Sequence, residues 1–167
     1  IGRAHKDGLL WAYKNNYNHV ITMDTDLAHH PKYIIEFLKK KTFSDIIVGS
    51  RYLEKNSTPG WSKFRILLSN SAHIFYKLIY RSNLDSTNAF RFYNLKSINP
   101  KFLHQFNYED YEFFFTSLIL LKKQGCKIDQ IPMTISGRSH GSSKMLIKHI
   151  FKSIITMFSF YFKSKNF

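Results

Sequence analysis

The sequence is poor in cysteine and in acid. Cys126 is the only cysteine among 167 residues, which excludes an intramolecular disulfide and a cysteine-based zinc site. A reducing compartment fits that count. Acidic residues number 11 against 25 Lys and Arg, a formal net charge of +14 with His neutral. A field of that sign favours anionic partners: nucleic acid, acidic lipid headgroups or phosphorylated substrates. Long apolar runs are also missing. Ser153 to Phe162 is the best candidate, ten uncharged residues where a helical span needs ~20. No signal peptide, internal repeat or low-complexity linker is visible. The chain opens on Ile1 rather than Met, already in what reads as a loop and helix start. The expectation is a chain cut out of something longer.

Aromatic and apolar side chains are plentiful. Apolar residues make up 44%, with 16 Phe, 10 Tyr and 2 Trp, which excludes a disordered or collagen-like chain. The length suits one domain with a sizeable core. Charge is unevenly spread: residues 1–54 carry 8 basic and 6 acidic side chains, whereas Asp129 faces nine basic residues from Phe113 onward. Between Glu54 and Asp85 there is no acid, but there are Lys55, Lys63, Arg65, Lys77 and Arg81.

Periodicity predicts an alternating α/β chain. Asp7 to Tyr17 reads as a short helix, and His19 to Met23 as a strand ending in Asp24-Thr25-Asp26. Pro31 opens a helix carrying Ile34, Ile35 and Leu38, since a first turn accepts proline. Asp45 to Val48 is a second buried-type strand leaving through Gly49-Ser50-Arg51. Strand, helix, strand with short connections predicts a βαβ unit of a parallel sheet. Trp61 to Tyr80 reads as a long helix, with Phe64, Leu67, Leu68, Ile74, Phe75, Leu78 and Ile79 as its apolar face. Ala89 to Tyr93 (strand), Tyr111 to Lys123 (helix), Ile128 to Ile135 (strand) and Lys144 to Phe162 (helix) follow. Pro132 places the last strand at a sheet edge or end.

Asp24 and Asp26 stand where a strand ends, the edge at which open α/β sheets bind ligands. Two carboxylates spaced i, i+2 around a turn can share a hard divalent cation, which in turn neutralises a diphosphate. Turn formation or helix capping is the commoner reading of such a pair taken alone. His29 and His30, beside Pro31, read as packing at a helix start. Arg51 leaves the second strand at the same edge, and Arg65 and Ser69 share one face of the long helix. Arg suits forked recognition of phosphate oxygens; a solvated basic face is the other reading. Arg138-Ser139-His140-Gly141-Ser142-Ser143-Lys144 is a polar loop of the kind that wraps anions.

In order along the chain, these pieces resemble the polyprenyl-phosphate (dolichyl-phosphate) mannosyltransferases of glycosyltransferase family 2. Asp24-Thr25-Asp26-Leu27-Ala28-His29-His30-Pro31 is similar to the family's Asp-x-Asp-Leu-x-His-x-Pro signature. Ile1-Gly2-Arg3-Ala4 with Gly8-Leu9 looks like the segment before it, and Gly49-Ser50-Arg51-Tyr52 like the following strand exit. Trp61 through Ser69 matches the helix carrying the second Arg. Asp85-Ser86-Thr87-Asn88-Ala89-Phe90-Arg91-Phe92-Tyr93 is similar to Asp-x-Thr-Ser-Gly-Phe-Arg-x-Tyr. Ile131-Pro132 and then Arg138-x-x-Gly141-x-Ser143-Lys144 match the closing motif.

The resemblance implies a GT-A, Rossmann-like fold, N-terminally truncated here, with residues 1–143 as the C-terminal part of the catalytic domain. Residues 144–167 would form an amphipathic, membrane-interfacial helix with a Lys144, Lys148 and Lys152 stripe. It implies transfer of a hexose, mannose from GDP-mannose, to a polyprenyl or dolichyl phosphate with inversion, the fragment alone being inactive. Asp24 and Asp26 would hold Mg²⁺ or Mn²⁺ against the donor diphosphate, with Asp26, Arg51 and Arg65 as the catalytic set. Arg138 and Lys144 would clamp the donor, and Arg51, Arg65 and Ser69 the acceptor phosphate. An anionic membrane surface is the implied partner, nucleic acid is not, and the implied place is peripheral, on the cytoplasmic face of a membrane. UDP-glucose or another sugar, an inactive scaffold and a basic nucleic-acid-binding domain are the alternatives. Ala28, Asn88-Ala89 and Thr116 depart from the family pattern.

Overall fold

The computed structural model describes residues 1–26, 28–106, 108–137 and 147–164, and it is an α/β structure around one mixed sheet. The first helix, α1 (Gly2–Lys14), starts earlier than periodicity predicts and buries Leu9 and Ala12. Next come β1 (His19–Thr22), α2 (Tyr33–Lys40), β2 (Ile46–Ser50), α3 (Lys63–Tyr80) and β3 (Arg91–Asn94). A 3-10 turn (Leu95–Ser97), α4 (Pro100–His104), α5 (Glu112–Lys123), β4 (Ile128–Pro132) and α6 (Ile147–Ser164) complete the chain.

The strand order is β1-β3-β2-β4. β2 and β4 pair in parallel, but β3 runs antiparallel to both β1 and β2 and lies between them. The expected βαβ pairing of β1 with β2 is therefore corrected. The two strands run the same way without touching, because the later strand β3 takes the place between them. β4 lies at one edge and Pro132 is its last residue, as a strand proline requires.

Alternation along the strands divides the core into two layers. Ile46, Val48 and Tyr93 face a cluster with α1 and α5, whereas Ile47 and Phe92 face one with Phe37 of α2, Ile131 and Met133. Every residue from Glu112 to Leu121 of α5 is buried, the pattern of a helix covered on all sides. α6 adds Met157 and Phe160 to the larger cluster.

One amphipathic face is turned the other way. Phe64, Leu67, Ile74, Phe75 and Leu78 of α3 are exposed, and Tyr76 is the residue this helix buries fully. α6 likewise exposes Ile154, Ile155, Phe158 and Phe162. Lys152, in the lysine stripe of that helix, is tied to Asp110 at 2.5 Å and lies 3.6 Å from buried Glu112. Lys144 lies outside the described residues.

Candidate active site

The ends of β1 and β2 and the start of α3 surround a cavity of about 490 Å³. Asp24, Asp26, Arg51 and Arg65 all line it, four side chains that are up to 41 residues apart in sequence. Asp24 and Asp26 sit on the turn leaving β1. Asp24 donates its backbone N–H to His29 Nδ1 at 3.0 Å, and Asp26 Oδ1 accepts the N–H of Ala28 at 3.1 Å. His29 is buried and stacked on Phe90; burial lowers its pKa, against the pull of Asp24 and Asp26. It therefore serves the turn as a neutral acceptor. His30 Nδ1 accepts the N–H of Lys32 in the same way.

Arg51 follows directly on β2, whose five residues are all buried. A Cβ on Gly49 would press on Met133 Sδ, so a larger residue at the strand exit would have to displace that side chain. The guanidinium is committed to the protein. Nε and Nη2 donate to the two oxygens of Asp85, each at 2.9 Å, and Nη2 also donates to Thr87 Oγ1. Asp85 is fully buried, which alone would raise its pKa; the Arg51 charge and hydrogen bonds outweigh that and hold it below the usual carboxylate range. The fork expected to grip a ligand phosphate thus faces Asp85, and Nη1 makes none of these bonds.

Arg65 sits in the first turn of α3, behind the Ser62 cap, with its guanidinium 3.7 Å from the centre of the Trp61 ring. Trp61 also lies 5.6 Å from Arg51. Ser69 does not line the main cavity. It lines a small side pocket of about 40 Å³ that shares Arg51 and Trp61 as walls, and its hydroxyl is 2.8 Å from Tyr52 Oη. Arg138 and Lys144 lie outside the described residues.

The departures from the family pattern have local explanations. Asn88 is buried; its Nδ2 donates to the Gly49 carbonyl and its Oδ1 accepts the Phe90 N–H. Thr116 is buried and donates to the Glu112 carbonyl one turn back. Arg91, fully buried, donates to the carbonyls of Asn88, Ser86 and Phe114 and to Ser117, which pins the loop that carries Asp85 and Thr87.

Sequence reasoning missed Asp85 and Trp61 as parts of the site. Asp85 is the single acid between Glu54 and Glu109, and that isolation was the available signal for a committed cation partner. Among the described residues no group of three or more His, Cys, Asp or Glu converges as a metal site. Asp24 and Asp26 nevertheless form an oxygen-only donor pair beside an open cavity, and Mg²⁺ is held by one or two carboxylates when substrate phosphates complete its shell. The residues fit such an ion.

An undecaprenyl-phosphate mannosyltransferase from Micrococcus luteus is 25% identical over 146 residues, 87% of this chain and 60% of its own length. Over 87% of its length the chain is similar to curated polyprenyl-phosphate mannosyltransferases. A polyprenol monophosphomannose synthase from Mycolicibacterium smegmatis is 24% identical over 147 residues, 87% of this chain and 56% of its own length. The chain thus spans less than two thirds of the length of the curated relatives it matches. No family model matches it.

Proposed function

We propose that the full-length protein transfers mannose from GDP-mannose to a polyprenyl phosphate, with inversion at the anomeric carbon, at the cytoplasmic face of a membrane. The observation that carries this reading is the single cavity lined by two carboxylates and two guanidinium groups, which suits two phosphate-bearing ligands side by side. The acceptor is a phosphate monoester with a second pKa of ~6, so it is largely dianionic near neutral pH. One of its oxygens forms the bond to the anomeric carbon. The bond from that carbon to the donor diphosphate breaks, and its electron pair leaves with the nucleoside diphosphate. No proton has to be removed, so orientation does the work and no general base is needed.

Arg65, braced on Trp61, binds the acceptor phosphate, and Arg51 adds positive charge beside it while Asp85 fixes its position. Ser69 supports that wall through Tyr52. Asp24 and Asp26 would hold Mg²⁺ or Mn²⁺, which neutralises the leaving diphosphate when bound. Arg138 and Lys144 complete the donor side in this proposal.

The membrane part rests on α3. Phe64, Leu67, Ile74, Phe75 and Leu78 are 47–74% exposed on that helix, and a contiguous apolar surface of this kind marks an interaction site. Phe64 precedes Arg65 and Leu67 follows two residues later, which supports a lipid surface beside the phosphate-binding end of the cavity. No helix among the described residues is long and apolar enough to cross a membrane, so the association proposed is peripheral. The test is incorporation of radiolabelled mannose from GDP-mannose into polyprenyl phosphate by the full-length protein. Transfer that needs added Mg²⁺ or Mn²⁺ and is abolished by Asp24→Asn or Asp26→Asn is expected; near-normal transfer in both variants would overturn the reading.

A further inference from the structure

A second cavity, of about 560 Å³, lies where the C-terminal ends of α3 and α5 meet α6. Its α3 lining residues, Tyr76 to Tyr80, are about 17–23 Å along that helix from Arg65, at 1.5 Å per residue. Tyr76, Tyr80 and Tyr161 line it, with Ile119 from α5. The hydroxyl of Tyr80 donates to the Met157 carbonyl and that of Tyr76 is hydrogen-bonded to Ser82. Both residues therefore already have polar partners, and their rings supply aromatic wall.

The remaining lining residues include Arg81, Lys122 and Lys123, all exposed, and no acid. Among the described residues none of the three forms an ion pair with a carboxylate. Helix dipoles account for a cation near each of two helix C-termini. They do not account for three cations converging on one aromatic-walled cavity without a counter-ion. Arg81 also occupies a left-handed cap at φ 48°, a position where glycine or asparagine is the relaxed choice. The apolar surface of the two helices continues to the cavity's edge: Leu78 and Phe162, adjacent in sequence to the lining residues Ile79 and Tyr161, are 70% and 65% exposed.

A cationic rim over an aromatic wall, beside lipid-facing side chains, is complementary to an anion carried on an apolar body. We propose that this cavity clasps the phosphate headgroup of an anionic phospholipid, at a site separate from the one that holds the substrates. The phosphodiester sits among Arg81, Lys122 and Lys123, and the glycerol and upper acyl chain lie against the tyrosine rings. This rests on the membrane reading given above and adds the lipid class that anchors the far end of α3.

The experiment is co-sedimentation of the chain with phosphatidylcholine vesicles, with and without phosphatidylglycerol. At about 1 kcal/mol per surface-near cation, the triple change Arg81→Gln, Lys122→Gln and Lys123→Gln should weaken binding to the anionic vesicles about 150-fold. The Lys122→Gln and Lys123→Gln pair, which leaves the α3 cap intact, should weaken it about thirtyfold. Both variants should keep the wild-type affinity for neutral vesicles. A control triple of equal charge loss at Lys14, Lys41 and Lys101, none of which lines the cavity, should retain most of the anionic preference. Equal losses in the two triples would overturn the site while leaving the membrane reading standing. Wild-type chain that binds neither vesicle would overturn the membrane reading and this proposal with it. Saturable calorimetric binding of glycerol 3-phosphate without vesicles, removed by the triple change, would assign the cavity to a soluble phosphate and overturn the lipid.

Discussion

Replacing Asp85 by Asn should be among the most damaging single changes near the site. The carboxylate is fully buried and takes three bonds from one residue: the Arg51 backbone N–H at 3.2 Å, Nε at 2.9 Å and Nη2 at 2.9 Å. The Arg51 side chain is only 10% exposed. Asn keeps the size but removes the charge and turns one acceptor into a donor facing Arg51. Breaking a buried pair by removing one partner costs about 3–5 kcal/mol, because the other charge stays buried without compensation. For a chain of this size, that lowers Tm by roughly 6–20 °C. Urea denaturation of Asp85→Asn, Arg51→Met and the double variant gives the coupling directly. The double variant should be less destabilised than the sum of the single variants by about 2–4 kcal/mol. Additive losses would show that the two groups do not support each other, and the description of Arg51 as a positioned cation would fall.

Burial, helped by the Arg91 charge, lowers the His5 pKa to about 4, and burial also lowers that of His29. A group depressed on folding stabilises above its unfolded pKa of 6.5, so the urea midpoint should be flat above about pH 7 and fall between pH 6.5 and 4; His5→Asn should flatten part of that slope. Trp61→Ala removes the platform under Arg65, a cation–π contact worth about 0.5–2 kcal/mol, and should raise KM for the polyprenyl phosphate roughly 3- to 30-fold with donor KM unchanged. Leu67→Glu and Leu78→Glu, on the exposed face of α3, should alter folding stability by less than about 0.5 kcal/mol while sharply reducing binding to neutral vesicles. Destabilisation of several kcal/mol in either would mean that this face is packed inward.

The strands were legible because His19 to Met23, Asp45 to Val48 and Ile128 to Ile135 are short apolar, β-branched runs, and the helices because their apolar spacing is strong. The antiparallel placement of β3 was not legible, since strand neighbours are chosen by contacts distant in sequence. α4, five residues long, is too short to show a period. In α3, periodicity identified Phe64, Leu67, Leu68, Ile74, Phe75, Leu78 and Ile79 as the apolar face; it could not say that all but the half-buried Leu68 and Ile79 are exposed, because direction depends on what else packs nearby. Asp24, Asp26 and Arg51 follow strand ends, whereas Arg65 reaches the same cavity from the first turn of α3. The pairing of Arg51 with Asp85 needed the structure, since no local period joins residues so far apart; Trp61 and Arg65 are four apart, a helical spacing, although Trp61 precedes the Ser62 cap of α3.

The central claim is that one cavity holds two phosphates on different residues, the donor's at Asp24 and Asp26 and the acceptor's at Arg65. Steady-state kinetics of Arg65→Ala and Asp26→Asn in the full-length protein, with donor and acceptor varied independently, test it most directly. Arg65→Ala should raise KM for polyprenyl phosphate at least tenfold (about 1.4 kcal/mol) with little change for the nucleotide-sugar, while Asp26→Asn should lower turnover and donor affinity and spare the acceptor. Equal losses towards both substrates in both variants, or the reverse assignment, would contradict the account.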